Sequence, residues 1–305
     1  MITAEQVKEL REMTGAGMME CKKVLTEVDG DMAKAQDLLR ERGIVKATKK
    51  AGRVAAEGLV ESYKSADNKD GVLVEVNIET DFASKNPEFI EFVEDLAELS
   101  LSDDVKCENC LMKQQYKNEG TVAEALTQKI AKIGENMNIR RVAKCTTPGV
   151  KYVGYLHMGG KIGVIVGLKT EADAADIMTC GKDVAMQVAS MNPQFVDESG
   201  VDPEYLAHEK EVLIAQAAKE APDKPQNIIE KMITGRLKKQ LKETCLVDQA
   251  FVKDSNLTVK EYVDSVAKAL GKDIQVVEMV RYEVGEGIEK KQENFAEEVA
   301  KQMAQ

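Results

Sequence analysis

Twice along this chain the hydrophobic pattern switches to a period of two, each time as two short apolar runs joined by a turn. The first pair is GLVESYKS and GVLVEVNIE, with Ala66-Asp67-Asn68-Lys69-Asp70-Gly71 between them. Such a pattern predicts a β-hairpin. In its second arm Val72, Val74, Val76 and Ile78 alternate with other residues, as in a strand with one buried face. Phe89, Phe92, Val93, Leu96 and Leu99 then recur at helical spacing. The second pair, KYVGYLHMGG and KIGVIVGLKT, is also followed by a helical pattern, EADAADIMTCGKDVAMQVAS. Hairpins alternating with helices predict an α+β fold with antiparallel sheets. The repetition of strand, turn, strand and helix suggests two related subdomains.

The flanks read as helices. Residues 1 to 44 predict three short ones. Thr3 and Gln6 form a capping-box signature for the first. AGMMECKKVLTEV supplies the second, and Asp31 caps a third that runs to Arg42, with Gly43 where a left-handed C-terminal cap is wanted. The basic residues Lys46, Lys49, Lys50 and Arg53 then read as a solvated linker. SLSDDVKCENC reads as a loop, and TVAEALTQKIAKIGENMNIRRVAKC as a helix and a short strand. Between 202 and 244 two apolar stripes flank Pro222 and Pro225 and predict an antiparallel helical hairpin opened by Asp202-Pro203. A helix at about 258 to 270, a long strand DIQVVEMVRYEV, a break at Gly285-Glu286-Gly287 and a terminal helix carrying Phe295 and Val299 complete the chain.

Composition narrows the functions open to the chain. With 305 residues and 43% apolar content there is enough chain for two or three domains. The net charge of −11 would repel a polyanion, so no nucleic-acid partner is expected. No apolar run reaches membrane-spanning length, and the N-terminus has no secretory h-region, so neither a membrane partner nor export is expected. Six cysteines in a long chain of this kind fit free thiols in a reducing, cytoplasmic setting.

Reactive constellations are scarce. Cys107-Glu108-Asn109-Cys110 is a CxxC, but no second pair or nearby His completes a zinc site. A redox pair would sit at a helix start in a βαβ setting; two unrelated loop thiols are the default reading. His157 and His208, the only histidines, lie in separate elements, and HMGGKIG reads as a hairpin turn with an exposed His and Lys rather than a phosphate loop. Nothing points to covalent catalysis, a cofactor or a metal. The end of the first hairpin stands out instead: Thr80-Asp81-Phe82 follows the strand directly. Either Thr80 or Asp81 caps a helix and Phe82 joins the core, or the ring is held out toward a partner, as loops on rigid scaffolds often do.

Five segments, in order, resemble the elongation factor Ts family, the guanine nucleotide exchange factors for elongation factor Tu. They are LREMTGAGMMECKKVL at 10 to 25, EVNIETDFASKN at 75 to 86, and then KIGENMNIRRV, YLHMGGKIGVIV and RYEVGEGIEKK. Ala83 stands where the family usually has Val, and Ile78 where a smaller residue is common, which reads as tuning of packing. The loop holding Cys107 and Cys110 lies outside the pattern.

The resemblance implies a small ubiquitin-associated-like three-helix domain (1–45), a basic linker (46–54) and a two-subdomain core (55–145 and 146–200, completed by 247–284). It also implies a protruding helical hairpin (201–246) used in dimer contacts and a C-terminal module (285–305). By the same resemblance, Thr80, Asp81, Phe82 and Ala83 act on the Mg²⁺ and nucleotide site of elongation factor Tu. Arg11, Met18 and Met19 dock on its G domain, although ordinary core packing is expected of at least one of the two methionines. His157, Gly159, Gly160 and Lys161 meet another of its domains, and Phe295 and Val299 make a last contact. The rival classes are a non-exchanging adaptor and an enzyme with a cryptic thiol site.

Overall fold

The computed structural model describes all residues except 1, 15, 221–225 and 290–305, so the expected terminal helix with Phe295 and Val299 lies outside the described residues. The chain is α+β and divides into two units, 1–60 with 74–142 and 283–305, and 61–73 with 143–282.

The first unit begins with α1 (Ala4–Thr14), α2 (Met18–Glu27) and α3 (Met32–Lys50). Thr3 and Gln6 cap α1 reciprocally, and the Asp31 carboxylate accepts from the Lys34 amide at the start of α3. Val7, Leu10, Cys21, Val24, Leu25, Ala35 and Leu39 close a small core. The sequence predicts that α3 ends at Gly43; instead it runs to Lys50, through the segment read as a linker. A mid-helix glycine costs about 1 kcal/mol against alanine, and α3 nevertheless continues through it, packed against a second helix. A Cβ at Gly43 would stand 3.4 Å from that of Ala131 on α6 (Val122–Ile133). Ala47, one turn on, packs against the main core.

That core is built on β2 (Gly71–Ile78), the middle strand of a three-stranded sheet with β1 (Glu57–Lys64) and β3 (Met137–Cys145). Val74, Val76 and Ile78 meet Phe89, Phe92, Val93 and Leu96 of α4 (Pro87–Leu99), together with Val122 and Leu126 of α6. The alternating pattern predicted one buried face, yet all eight residues of β2 are buried. In place of solvent, Glu75 faces a polar cluster. The loop read as SLSDDVKCENC contains a single helical turn, α5 (Glu108–Leu111), pinned to the core by Leu111.

The second unit repeats the plan. β4 (Val150–His157) and β5 (Ile162–Thr170) form an antiparallel hairpin, α7 (Ala174–Met191) packs on both, and β8 (Ile274–Glu283) lies beside β5. Between α7 and β8 come α8 (Pro203–Glu220) and α9 (Gln226–Thr244), a two-stranded ribbon of β6 (Ala250–Phe251) and β7 (Asp254–Thr258), and α10 (Val259–Leu270). Helices α8 and α9 share a small core of Leu213, Ala217 and Ile233. In each unit, then, a hairpin, a helix, a capped helix and a third strand follow in order. The resemblance extends to the caps: α6 and α10 each start with a Thr and Glu capping box, Thr121/Glu124 and Thr258/Glu261. Each also ends at a left-handed glycine, Gly134 and Gly271.

One buried carboxylate ties the first unit together. Glu75 is fully buried on β2. It accepts from Arg140 Nη1 at 3.0 Å and Arg141 Nε at 2.5 Å on β3, from Asn77 Nδ2 at 3.0 Å, and from the Gly285 amide at 2.9 Å. Arg141 also donates to the Glu283 carbonyl and to the Glu286 carboxylate, each at 3.0 Å. Gly285 has φ +72°, and a Cβ there would lie 2.2 Å from the Ala56 carbonyl oxygen, so the turn can seat only as glycine.

Burial alone raises the pKa of Glu75, but the Gly285 amide, Arg141 and Arg140 outweigh it and hold the carboxyl below the usual glutamate range. The unfolded state therefore binds more protons in acid, and this contribution is present above about pH 4.3 and lost as pH falls further. Glu75→Ala removes from two partly buried guanidinium groups their one fully buried acceptor and is expected to destabilise the protein by about 3 kcal/mol at neutral pH. In urea titrations the gap between wild type and variant should stay constant down to about pH 4.3 and narrow as the pH falls below it. A gap independent of pH would rule out this role for the carboxylate.

Candidate functional site

The chain leaves β2 through Glu79, and the next residues are fixed by hydrogen bonds rather than by packing. Glu135, just past the left-handed cap of α6, accepts twice from Thr80: from its amide at 2.9 Å and from its hydroxyl at 2.8 Å. The same hydroxyl accepts from the Ala83 amide at 3.1 Å. Ser84 donates its hydroxyl to the Asp81 carbonyl at 2.8 Å, and a 3₁₀ turn over Ala83–Lys85 leads to Asn86, the cap of α4. Beside it, Glu79 accepts from the Asn136 amide at 2.6 Å, and Asn136 in turn donates to the Arg53 carbonyl at 2.8 Å.

On this braced turn the four predicted residues part company. Ala83 is buried and joins the core, where it anchors the turn from below. The Phe82 ring stands 86% exposed, so the reading that placed it in the core falls. Thr80 caps the turn rather than α4. The Asp81 carboxylate is exposed and pairs with Lys85 at 3.0 Å, an ion pair of little energetic weight in water.

The second unit supplies an internal control. Set against each other at the strand ends, Val74, Val76, Ile78 and Thr80 correspond to Val164, Val166, Leu168 and Thr170. Thr170 likewise ties its turn down: its hydroxyl donates to the Asp273 carbonyl at 2.6 Å and accepts from the Ala172 amide at 3.1 Å. The position matching Phe82 is Ala172, which is 3% exposed. The strand–turn–helix junction thus forms without an aromatic ring. A large exposed apolar side chain at this point of the first unit is not required by the fold.

The other predicted residues lie apart from this turn in the sequence and on other elements. Met18 and Met19 open α2, and both side chains are exposed, Met19 to 75%, which removes core packing as the explanation of either. Arg11 on α1 and Met13 close to it are exposed as well. His157 ends β4 half-buried, with Nδ1 3.0 Å from the Tyr155 hydroxyl. In the turn that follows, Met158 is the exposed apolar residue, Gly159 and Gly160 take positive φ, Gly160 is buried and Lys161 is half-buried. The expectation of a freely exposed His and Lys is therefore corrected. Met158, Glu135 and Asn136 were missed from sequence. The only hint was the Gly-Glu-Asn run after an apolar helix, which marks a left-handed cap but not where the Glu reaches.

Among the described residues no cluster of His, Cys, Asp and Glu is arranged to hold a metal ion, and no helix is long and apolar enough to cross a membrane. Glu135→Ala should free the Thr80 and Ala83 amides, raising their hydrogen-exchange rates about tenfold, as loss of a net 1.4 kcal/mol would. Unchanged protection at both amides would show that Glu135 does not brace the turn.

Comparison with known proteins places the chain in a family. The sequence model described as Elongation factor TS matches residues 79–286. Elongation factor Ts of Clostridioides difficile (strain 630) is 57% identical over 302 residues, spanning 99% of each chain. That of Clostridium novyi (strain NT) is 54% identical over 307 positions and 100% of each, and that of Clostridium perfringens (strain SM101 / Type A) is 50% identical over 301 residues and 99% of each. The chain therefore belongs to the elongation factor Ts family, and with it to the translation elongation factors.

Proposed function

We propose that this protein binds elongation factor Tu carrying GDP and promotes GDP release and GTP rebinding, with Phe82 as the wedge and Asp81 beside it near the partner's Mg²⁺ and nucleotide site. The observation that carries this reading is the exposed Phe82 ring on a turn held by Glu135, at a position where the second unit has a small buried alanine. An exchange factor must bind the empty GTPase more tightly than the loaded one, and linkage then requires that it weaken nucleotide binding by the same factor. A ring that fits only a displaced arrangement of the partner's helices provides such a preference.

Magnitudes show that the ring does not act alone. Accelerating release by about ten-thousandfold lowers a barrier by about 5.5 kcal/mol, whereas burying one Phe contributes about 1.5–3 kcal/mol. The remainder falls to other contacts. Arg11 with the exposed Met18 and Met19 suits docking on a G domain, because methionine is apolar and adaptable. The turn of His157, Gly159, Gly160 and Lys161 is assigned to a further domain of the partner, with Phe295 and Val299 to a last contact. A second copy of the chain pairing through the 201–246 hairpin belongs to the same proposal, supported by the exposed Ile214 and Ile228 on its helices.

The test mixes the protein with elongation factor Tu loaded with a fluorescent GDP analogue. Phe82→Ala should slow stimulated release roughly 10–100-fold while shifting the melting temperature by less than about 2 °C, as for an exposed side chain. Undiminished release would overturn the wedge. An intact complex with no stimulated release by the wild-type protein would favour an adaptor.

A further inference from the structure

The six cysteines fall into two classes. Cys21, Cys145, Cys180 and Cys245 are buried. Burial pushes all four thiols up, Cys145 to about 12 and Cys180 and Cys245 to about 11, which disfavours their thiolates. Cys107 and Cys110 differ in every respect. Both are only half-buried, and their sulfurs face each other 2.6 Å apart without a bond between them. The Cys110 amide donates to Cys107 Sγ at 3.3 Å as α5 begins, which fixes the first sulfur over the second. The hydrogen bond from Cys107, above all, holds the Cys110 thiol below its usual range, with the Lys113 ammonium assisting. Reading these as two unrelated loop thiols is therefore corrected.

Neither rival use of the pair fits. No further Cys, His, Asp or Glu joins it to form a metal cluster among the described residues, whereas structural zinc takes four ligands. Nor is the pair needed for packing: Leu111 alone carries α5 into the core. What the arrangement does fit is closure. The sulfurs, 2.6 Å apart, have only about 0.6 Å to close to reach the length of a disulfide bond.

We propose that Cys107 and Cys110 form a reversible dithiol–disulfide site that reacts with low-molecular-weight disulfides of the glutathione type. The Cys110 thiolate attacks one sulfur of the small disulfide, forming a mixed disulfide and expelling one small thiolate. Cys107 gives up its proton to solvent and attacks Cys110 Sγ, forming the internal disulfide and expelling the second small thiolate. Two protein thiols are oxidised, and one small disulfide is reduced to two thiols. The excess of small thiol in a reducing compartment reverses the sequence, as for the transient disulfides found there.

The full-length protein, freshly reduced, is equilibrated in buffers spanning a range of reduced-to-oxidised glutathione ratios from strongly reducing to oxidising, quenched in acid, alkylated and mapped by peptide mass. The expected product is one peptide carrying Cys107 and Cys110 unalkylated and two hydrogens lighter, with the other four cysteines still reduced. Cys107→Ser, which keeps a capping oxygen, should accumulate one glutathione on Cys110. Cys110→Ser should react about tenfold more slowly or less. A pair that stays reduced across the whole range, or that carries two separate glutathiones, overturns the site; adduct on Cys107 ahead of Cys110 overturns the order of attack. Because the readout is covalent mass, the result is independent of any nucleotide exchange.

Discussion

Glu75 is the constraint on which the first unit depends. Its carboxylate is buried beneath donors from three places far apart in sequence: Asn77 on its own strand, Arg140 and Arg141 on β3, and the Gly285 amide. A buried charge is tolerated only when its lone pairs are this well occupied. The cluster therefore selects one register of β3 against β2 and one seat for the turn after β8. A sheet with a hydrophobic second face would be at least as stable, but several registers would satisfy it. Three of the segments that carry the family resemblance, around residues 75, 140 and 285, meet at this one carboxylate.

From that fixed strand the site follows in short steps. Strand β2 ends at Glu79, Thr80 is held by Glu135, Ala83 enters the core, and Phe82 has no inward direction left. The second unit reaches the same junction with Thr170 and the small buried Ala172. Two copies of one plan thus share their architecture and differ in what they present at the strand end.

Local rules made much of this legible. Hairpins, caps and the alternation of β2 are short-range features, so the elements and the α+β class could be read from neighbouring residues. Three kinds of information could not. Gly43 signals a helix end by propensity, yet α3 runs on to Lys50, where Ala47 packs against the main core. Met18 and Met19 have core-like composition, and only the arrangement of α1 to α3 shows that the bundle closes without them. The partners of Glu75 and Thr80 lie dozens of residues away, and nothing in a run of sequence says which Arg or Glu will arrive. The CxxC spacing was visible, but the contact between its thiols depends on a four-residue helix too short to leave a periodic signal.

The way Phe82 is mounted has a thermodynamic consequence. Its backbone is already locked by Glu135, Ser84 and the start of α4 before any partner arrives, and a phenyl side chain has only two torsions left to restrict. On the proposed wedge reading, association at this point would forfeit little chain entropy, so a larger share of the free energy from sheltering the ring would remain to act on the receiving surface. A flexible loop with the same aromatic would lose more of that free energy to its own ordering.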